Sequence, residues 1–394
     1  MSVRLGLVLA GSLLWVVSGV AAVARADVAD PSLVADYLDA KGTTVLAFGP
    51  DRRIFATEKQ GRLVVYESRD GKYGAPKLVL DLSGQVNANM EGGMLGMALD
   101  PAFATNRTLY LFFTTDKDQR IVRVLLAPSF DRTLKAPEVV IAGFPREYDF
   151  HKAGEIRFDP SNPNALLVGL GDDNDRAAAQ NLDRFNGKIL RINKENGEGL
   201  PDNPFWNGDG KSVRSRVWAL GMRNPFRFVF HPKRADVLFV SENGEATDRI
   251  SRVTRGSNGG WNQKSDEASF AAPSDPNFKV LVKRLPDAQR NAVIVVGLAI
   301  AQGAPYGDPA HPNDYVLHFA EWRGQSFRYR LLGDALDKAE LVQSDPKAGY
   351  LSKYGNGFGA YLLLGPDGAL YATYCGINES DGDSGLIRIR PSPR

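Results

Sequence analysis

The chain has 394 residues, 43% hydrophobic and 24% charged, which is the composition of a globular protein with ample material for a core. Lys and Arg total 48 against 46 Asp and Glu, a near balance that argues against nucleic acid or an anionic membrane surface as partner. The single cysteine, Cys375, excludes an internal disulfide framework and reads as a small buried hydrophobe.

The first element is a targeting segment. Arg4 supplies the charge, Leu5 to Val23 is apolar, and Ala24-Arg25-Ala26 is a small-residue cleavage site before Asp27. The apolar run could also span a bilayer as an uncleaved anchor. The placement of the small residues favours cleavage, which leaves a mature domain over 27–394, periplasmic or secreted, with no membrane span. Cleavage removes Arg4 and Arg25 and no acid, so Lys and Arg fall from 48 to 46 and the net charge approaches zero.

A repeat follows. Its unit is a short apolar strand, a turn built on Pro-Asp or Asp-Pro, a second strand, and a third rich in Arg and Ile. The first copy is Thr44 to Asp51, Ile54 to Thr57 and Gly61 to Tyr66. The second runs through Gly93 to Pro101, Leu109 to Phe112 and Arg120 to Val124. The third begins at Gly154 and continues through Ala165 to Val168 and Gly187 to Ile192. The fourth is Phe226 to Pro232, Val237 to Val240 and Arg249 to Val253. A weaker fifth uses Gly297 to Ile300, Tyr315 to Phe319 and Ser326 to Arg330. The sixth is Ala360 to Gly368, Leu370 to Thr373 and Gly385 to Arg390. Six units at a spacing of roughly 50 to 70 residues predict an all-β fold, a six-bladed β-propeller. A two-domain β-sandwich does not account for six copies of the unit. One unit cannot cover both faces of its sheet, so the units stack in a ring. Ser32 to Leu38 can supply an outer strand to the last blade and fasten the two ends of the chain. No amphipathic helical run of any length is present.

In such a ring the loops entering the first strands converge at one end of the axis. Those loops carry Glu91, His151 and Arg223-Asn224. An imidazole there is a candidate general base, because its pKa lies near physiological pH. The plainer reading is a capping or surface histidine. Arg223 can offer a planar fork of donors to an anionic or carbonyl-rich ligand, or be a salt-bridged surface residue. The acidic loop Ser241 to Asp248 can hold Ca²⁺ or be a solvated turn, and it lacks the EF-hand pattern. Gly169 to Asp175 fails as a dinucleotide loop and reads as a turn or a second Ca²⁺ site. Asp381-Gly382-Asp383 reads as a hairpin turn. No HExxH, GxSxG or CxxC signature occurs.

Taken in order, several motifs resemble the soluble quinoprotein glucose/sorbosone dehydrogenases, also called PQQ-dependent aldose sugar dehydrogenases (PQQ, pyrroloquinoline quinone). They are Glu91 to Gly96, His151 to Phe158, Asn186 to Ile192, Asp202 to Phe205, Ala219 to Pro225 and Gly256 to Trp261. The resemblance implies a six-bladed propeller that binds PQQ and Ca²⁺, oxidises a sugar and passes electrons to a small-molecule or protein acceptor. It implies that His151 is the base and that Arg223 contacts the reactive quinone carbonyl. Asn224 and Glu91 become cofactor neighbours, and Arg323 a partner of the cofactor carboxylates. The carbonyls of Gly244 and Glu245 become calcium ligands. There are two departures from the family pattern, one at the substrate side and one at the cofactor. Phe150 stands where glucose-oxidising members carry an acid before the histidine, with Asp149 one step earlier, so glucose is not specified. No lysine in blade five matches the family's cofactor contact. Two other readings of such a propeller are a Ca²⁺-dependent lactonase-like hydrolase and a binding protein without catalysis.

Overall fold

The computed structural model describes residues 33–38, 40–245, 247–261, 270, 272–284, 295–303, 305–321, 326–345, 358–375 and 384–391. The predicted leader, Arg323 and the Asp381–Asp383 turn lie outside the described residues, as does the side chain of Cys375.

Six four-stranded antiparallel sheets form the blades. The first contains Thr43–Phe48, Ile54–Glu58, Arg62–Tyr66 and Lys77–Asp81. The second contains Met94–Leu99, Thr108–Thr114, Gln119–Leu125 and Glu138–Phe144. The third contains Ile156–Asp159, Asn162–Leu170, Lys188–Asn193 and Val217–Ala219. The fourth contains Pro225–His231, Arg234–Glu242, Asp248–Thr254 and Phe278–Arg284. Val295–Gln302, Tyr315–Glu321, Ser326–Leu332 and Lys338–Asp345 make the fifth. Phe358–Leu364, Leu370–Cys375 and Gly385–Pro391 belong to the sixth. Each predicted unit holds the first three strands of one blade. The fourth strands carry weaker patterns, because an outer strand has one face toward solvent: in Glu138–Phe144 only Val140, Ile141 and Phe144 are buried.

The sixth blade is completed by Leu33–Leu38, which pairs antiparallel with Gly385–Pro391 from Leu33↔Pro391 to Leu38↔Leu386. Arg390 donates to both oxygens of Asp36 at 2.6 and 3.2 Å, reinforcing that closure. The N-terminal strand predicted from Ser32 to Leu38 therefore fastens the ring. The second strands read as unbroken apolar runs, not as alternation. Leu109 to Phe113 and Ala165 to Val168 are buried throughout, because each sheet is covered on both faces by its neighbours. Among the described residues the α-helices are single turns, Phe103–Asn106 and Val213–Arg216.

The axis is polar. Arg227 of blade four, fully buried, donates through Nη1 to Leu95 O at 3.0 Å and Glu155 Oε2 at 3.2 Å, and through Nη2 to Thr44 O at 3.3 Å. Arg157 Nη2 donates to the Tyr361 hydroxyl at 3.0 Å, and burial pushes that phenol up to about 12. Thr44 Oγ1 donates to Met94 O at 2.5 Å. These bonds join blades one, two, three, four and six. Replacing Arg227 by Met removes three buried donor contacts and leaves Glu155 with less countercharge. The unfolding free energy should fall by about 3 kcal/mol in urea titration. A loss under about 1 kcal/mol would show that the axis does not depend on this residue.

Candidate active site

Loops into first strands and loops between second and third strands open on the same end of a ring of antiparallel blades. Glu91, His151, Arg223 and Asn224 come from the first kind, and Asp172, Gly244 and Glu245 from the second. The structure brings Glu91, His151, Arg223 and Asn224 into one cluster. Glu91 Oε2 accepts the main-chain N–H groups of His151 at 2.7 Å and Lys152 at 3.3 Å, and Asn224 Nδ2 at 3.4 Å. One carboxylate oxygen thus ties three inter-blade loops together.

His151 has φ 58° and Ala153 φ 49°, left-handed conformations that non-glycine residues avoid. Their neighbours hold them there. Besides Glu91, Asp173 accepts the N–H of Glu147 at 2.6 Å and of Tyr148 at 3.3 Å, and it pairs with the Lys152 ammonium. Burial pushes the Lys152 ammonium down, and Asp173 opposes that shift. Gly171 packs against the same turn so closely that a Cβ would stand 1.8 Å from His151 O. Only glycine allows that approach.

The histidine is not a surface residue, being 9% exposed. Its Nδ1 lies 2.6 Å from Asp172 Oδ1. Asp172 is fully buried and also accepts Trp261 Nε1 at 2.7 Å and Asn174 N at 2.9 Å. A carboxylate can only accept, so Nδ1 carries the proton in this pair, and in the neutral imidazole Nε2 has the lone pair. The Gly169–Asp175 loop is therefore a turn whose Asp172 and Asp173 are committed to His151 and Lys152. The alternative of a second Ca²⁺ site there is not what the structure builds. Asp172 and Trp261 were not singled out by sequence reasoning. The signal for Asp172 was available: an acid directly after a second strand, at the end of the ring where His151 sits.

Arg223 donates its main-chain N–H to Glu242 Oε1 at 2.5 Å and Nη1 to Asn243 O at 3.0 Å, and its guanidinium stands 5.7 Å from the Trp261 ring centroid. Burial pushes its pKa down, opposed by the charges of Asp172, Glu91, Asp248 and Glu242. Glu242, beneath it, is pushed up by burial and held in check first by Arg249, whose Nη2 is 2.7 Å away. Among the described residues, the buried atoms Arg223 Nε and Asn224 Oδ1 at the site have no hydrogen-bond partner.

Gly244 N donates to Asp248 Oδ1 at 3.0 Å, and a Cβ at Gly244 would stand 2.0 Å from Thr247 O. The Glu245 side chain pairs with Arg176, which lies 5.3 Å from the Trp261 ring centroid, so this loop abuts the His151 cluster through one indole. Among the described residues no group of three or more His, Cys, Asp or Glu side chains gathers as a metal site.

A model of the glucose/sorbosone dehydrogenase family matches residues 42–373. Aldose sugar dehydrogenase YliI of Escherichia coli (strain K12) is 31% identical over 225 residues, covering 55% of this chain and 57% of that one. The chain thus spans a little over half the length of that curated relative. A candidate oxidoreductase of glucose dehydrogenase type from Thermus thermophilus superposes with a TM-score of 0.71 at 27% identity, over 91% of this chain and 100% of that chain. The PQQ-bound aldose sugar dehydrogenase of Streptomyces coelicolor has the same TM-score at 24% identity, over 92% and 100%, a likeness of fold. With this propeller, this cluster at one end of its axis and a family match over most of its length, the chain belongs to the glucose/sorbosone dehydrogenase family.

Proposed function

We propose that the chain is a PQQ- and Ca²⁺-dependent dehydrogenase that oxidises an aldose, or a related sugar aldehyde, to a lactone or acid. The observation that carries this reading is the His151–Asp172 pair beside Arg223 and Asn224. It is an oriented imidazole whose Nε2, among the described residues, makes no hydrogen bond, next to a buried guanidinium nitrogen and amide oxygen that have no partner among them either. Unpaired buried polar atoms are costly, and a planar ligand carrying carbonyls, carboxylates and a ring N–H would relieve both. The residues present therefore fit PQQ. Arg223, Asn224 and Glu91 would hold it, with Arg323 on its carboxylates and the Gly244 and Glu245 carbonyls on the calcium. When bound, the quinone supplies a hydride acceptor and the calcium a Lewis acid that polarises it.

The chain's own residues account for the proton. His151 Nε2 takes the proton of the sugar hydroxyl as the C–H bond is broken. Asp172 stabilises the imidazolium that results without taking its proton, and Trp261 and Asn174 keep that carboxylate in place. Arg223 presents fixed positive charge in a buried site, where it acts more strongly than in water. The leader over residues 1–26 is read as a cleaved export signal, so the domain over 27–394 would work outside the cytoplasm.

The direct test is reconstitution of the purified protein with PQQ and Ca²⁺, followed by sugar-dependent reduction of an artificial electron acceptor. Turnover on at least one aldose and a spectral change on PQQ addition are expected. Neither across a broad aldose panel, with lactone hydrolysis observed instead, would move the assignment to the hydrolase. His151→Ala should lower turnover on the order of 10²–10⁴-fold while the PQQ spectral titration stays unchanged. Surviving turnover would remove His151 from the role of base. Asp172→Asn can donate its amide N–H to Nδ1 and force the proton onto Nε2. A loss of roughly 10³–10⁴-fold with intact PQQ binding is expected, and a wild-type rate would show that the tautomer is set by something else.

A further inference from the structure

One buried cation near the site is used neither by the fold's axis nor by the proposed chemistry. Lys188, at the start of the third strand of blade three, is fully buried. Its Nζ donates to Ala178 O at 2.9 Å, Ala179 O at 3.1 Å and Asn186 O at 2.8 Å. Among the described residues no carboxylate pairs with it. An ammonium has three N–H donors, and here three carbonyls meet them one for one. Burial pushes Lys188 down to about 7, the charge of Arg184 adds to the fall, and Asp175 opposes it. A neutral amine would carry two N–H donors and leave one of the three carbonyls without a partner.

These carbonyls belong to the loop that delivers Asp172. The loop leaves the second strand at Gly171, makes a 3-10 turn over Arg176–Gln180 and returns at Gly187. Gly187 N donates to Gly171 O at 2.9 Å, and Asn186 Nδ2 donates to Asp172 O at 3.0 Å. The Lys188 ammonium gathers the end of the 3-10 turn and the Asn186 carbonyl into one point. Asn186 then reaches directly to the main chain of Asp172. A cation at the carbonyl end of a helical turn is also favoured by the aligned peptide dipoles.

We propose that Lys188 is a positioning residue: its ammonium, caged by the carbonyls of Ala178, Ala179 and Asn186, clamps the 171–187 loop so that Asp172 holds the His151 ring in its working tautomer. The cage is a small cation site filled by the protein's own side chain. The part of the inference that concerns turnover rests on the dehydrogenase reading; the part that concerns the His151–Asp172 bond does not.

Lys188→Ala keeps Cβ and leaves room for n-propylammonium, which supplies the missing three carbons and the charge. Turnover should fall roughly 10- to 100-fold, the range of outer-shell orienting contacts, with KM for the sugar little changed. Added n-propylammonium should restore it, and tetramethylammonium, which has no N–H donor, should not. A folded Lys188→Ala protein that both cations rescue alike, or that neither rescues, overturns the cage. Lys188→Met fills the space without the charge and serves if the alanine variant does not fold. The second readout needs no sugar or quinone. The hydrogen-bonded Nδ1 proton of His151 should give a far-downfield proton resonance in the wild-type apoprotein, and it should broaden or vanish in Lys188→Met. Its persistence unchanged in Lys188→Met would overturn the proposal whatever the protein oxidises. If wild type shows the resonance but oxidises no sugar, the dehydrogenase reading fails and the resonance alone decides the role of Lys188.

Discussion

One guanidinium sits where the blades meet, and the positions of the other groups at the axis follow from it. Arg227 reaches main-chain carbonyls of blades one and two and the Glu155 carboxylate at the entry to blade three. A charge so deep is tolerated only because every direction it points offers an acceptor. Hydrophobic packing between blades is strong but non-directional, and it would allow the sheets to slide past one another. The axial bonds fix their relative height. Residues at the ends of different blades can then be registered to one another at hydrogen-bond precision. Closure by Leu33–Leu38 on the last strand serves the same end, because an open ring would release that register.

On this frame the site is over-determined. His151 adopts a left-handed backbone conformation, which for a non-glycine residue costs of order 1–3 kcal/mol and persists only where the surroundings enforce it. Here the enforcement comes from two acids on opposite sides of the same turn. Glu91 takes the N–H groups of His151 and Lys152. Asp173 takes those of Glu147 and Tyr148 together with the Lys152 ammonium. The imidazole is then fixed by a third acid, Asp172. Neighbouring carboxylates in one small region would repel, and the cations Lys152 and Arg223 stand among them. This alternation makes a dense polar cluster tolerable where its side chains are buried.

The fold was legible because its signal is repeated. A Pro-Asp or Asp-Pro turn after an apolar strand is weak once and decisive when it returns at Pro50-Asp51, Asp100-Pro101, Asp159-Pro160 and Pro366-Asp367 within six copies of one strand pattern, and ring closure by the segment before blade one follows from the need to pair the last edge. Outer strands were harder, since Lys77–Asp81 and Lys338–Asp345 mix exposed charge with few apolar positions. At the site, His151, Glu91, Arg223 and Asn224 could be found because their loops share one end of the ring. Asp172 was less visible. Its run of Gly and Asp has the composition of an ordinary turn, and nothing local says that one of those acids is fully buried. Trp261 was hidden for the opposite reason. A large aromatic is core by default, and the bond its indole N–H makes to a carboxylate 89 residues earlier exists only in three dimensions.

The same turn separates what is fixed from what is free. Asp149 O accepts the N–H of Glu91 at 3.1 Å, so the backbone from Glu147 to Lys152 is held at nearly every step. Yet Tyr148 is 52% exposed and Phe150 is 42% exposed, two large aromatics standing in solvent on a rigid support. Large apolar side chains exposed singly are ordinary on a folded surface. The exposed side chains this backbone displays stand apart from the His151–Asp172 pair, which is buried. The six residues of this turn therefore divide by atom. The main chain and the imidazole are tied to Glu91, Asp172 and Asp173, and the rings of Tyr148 and Phe150 face solvent.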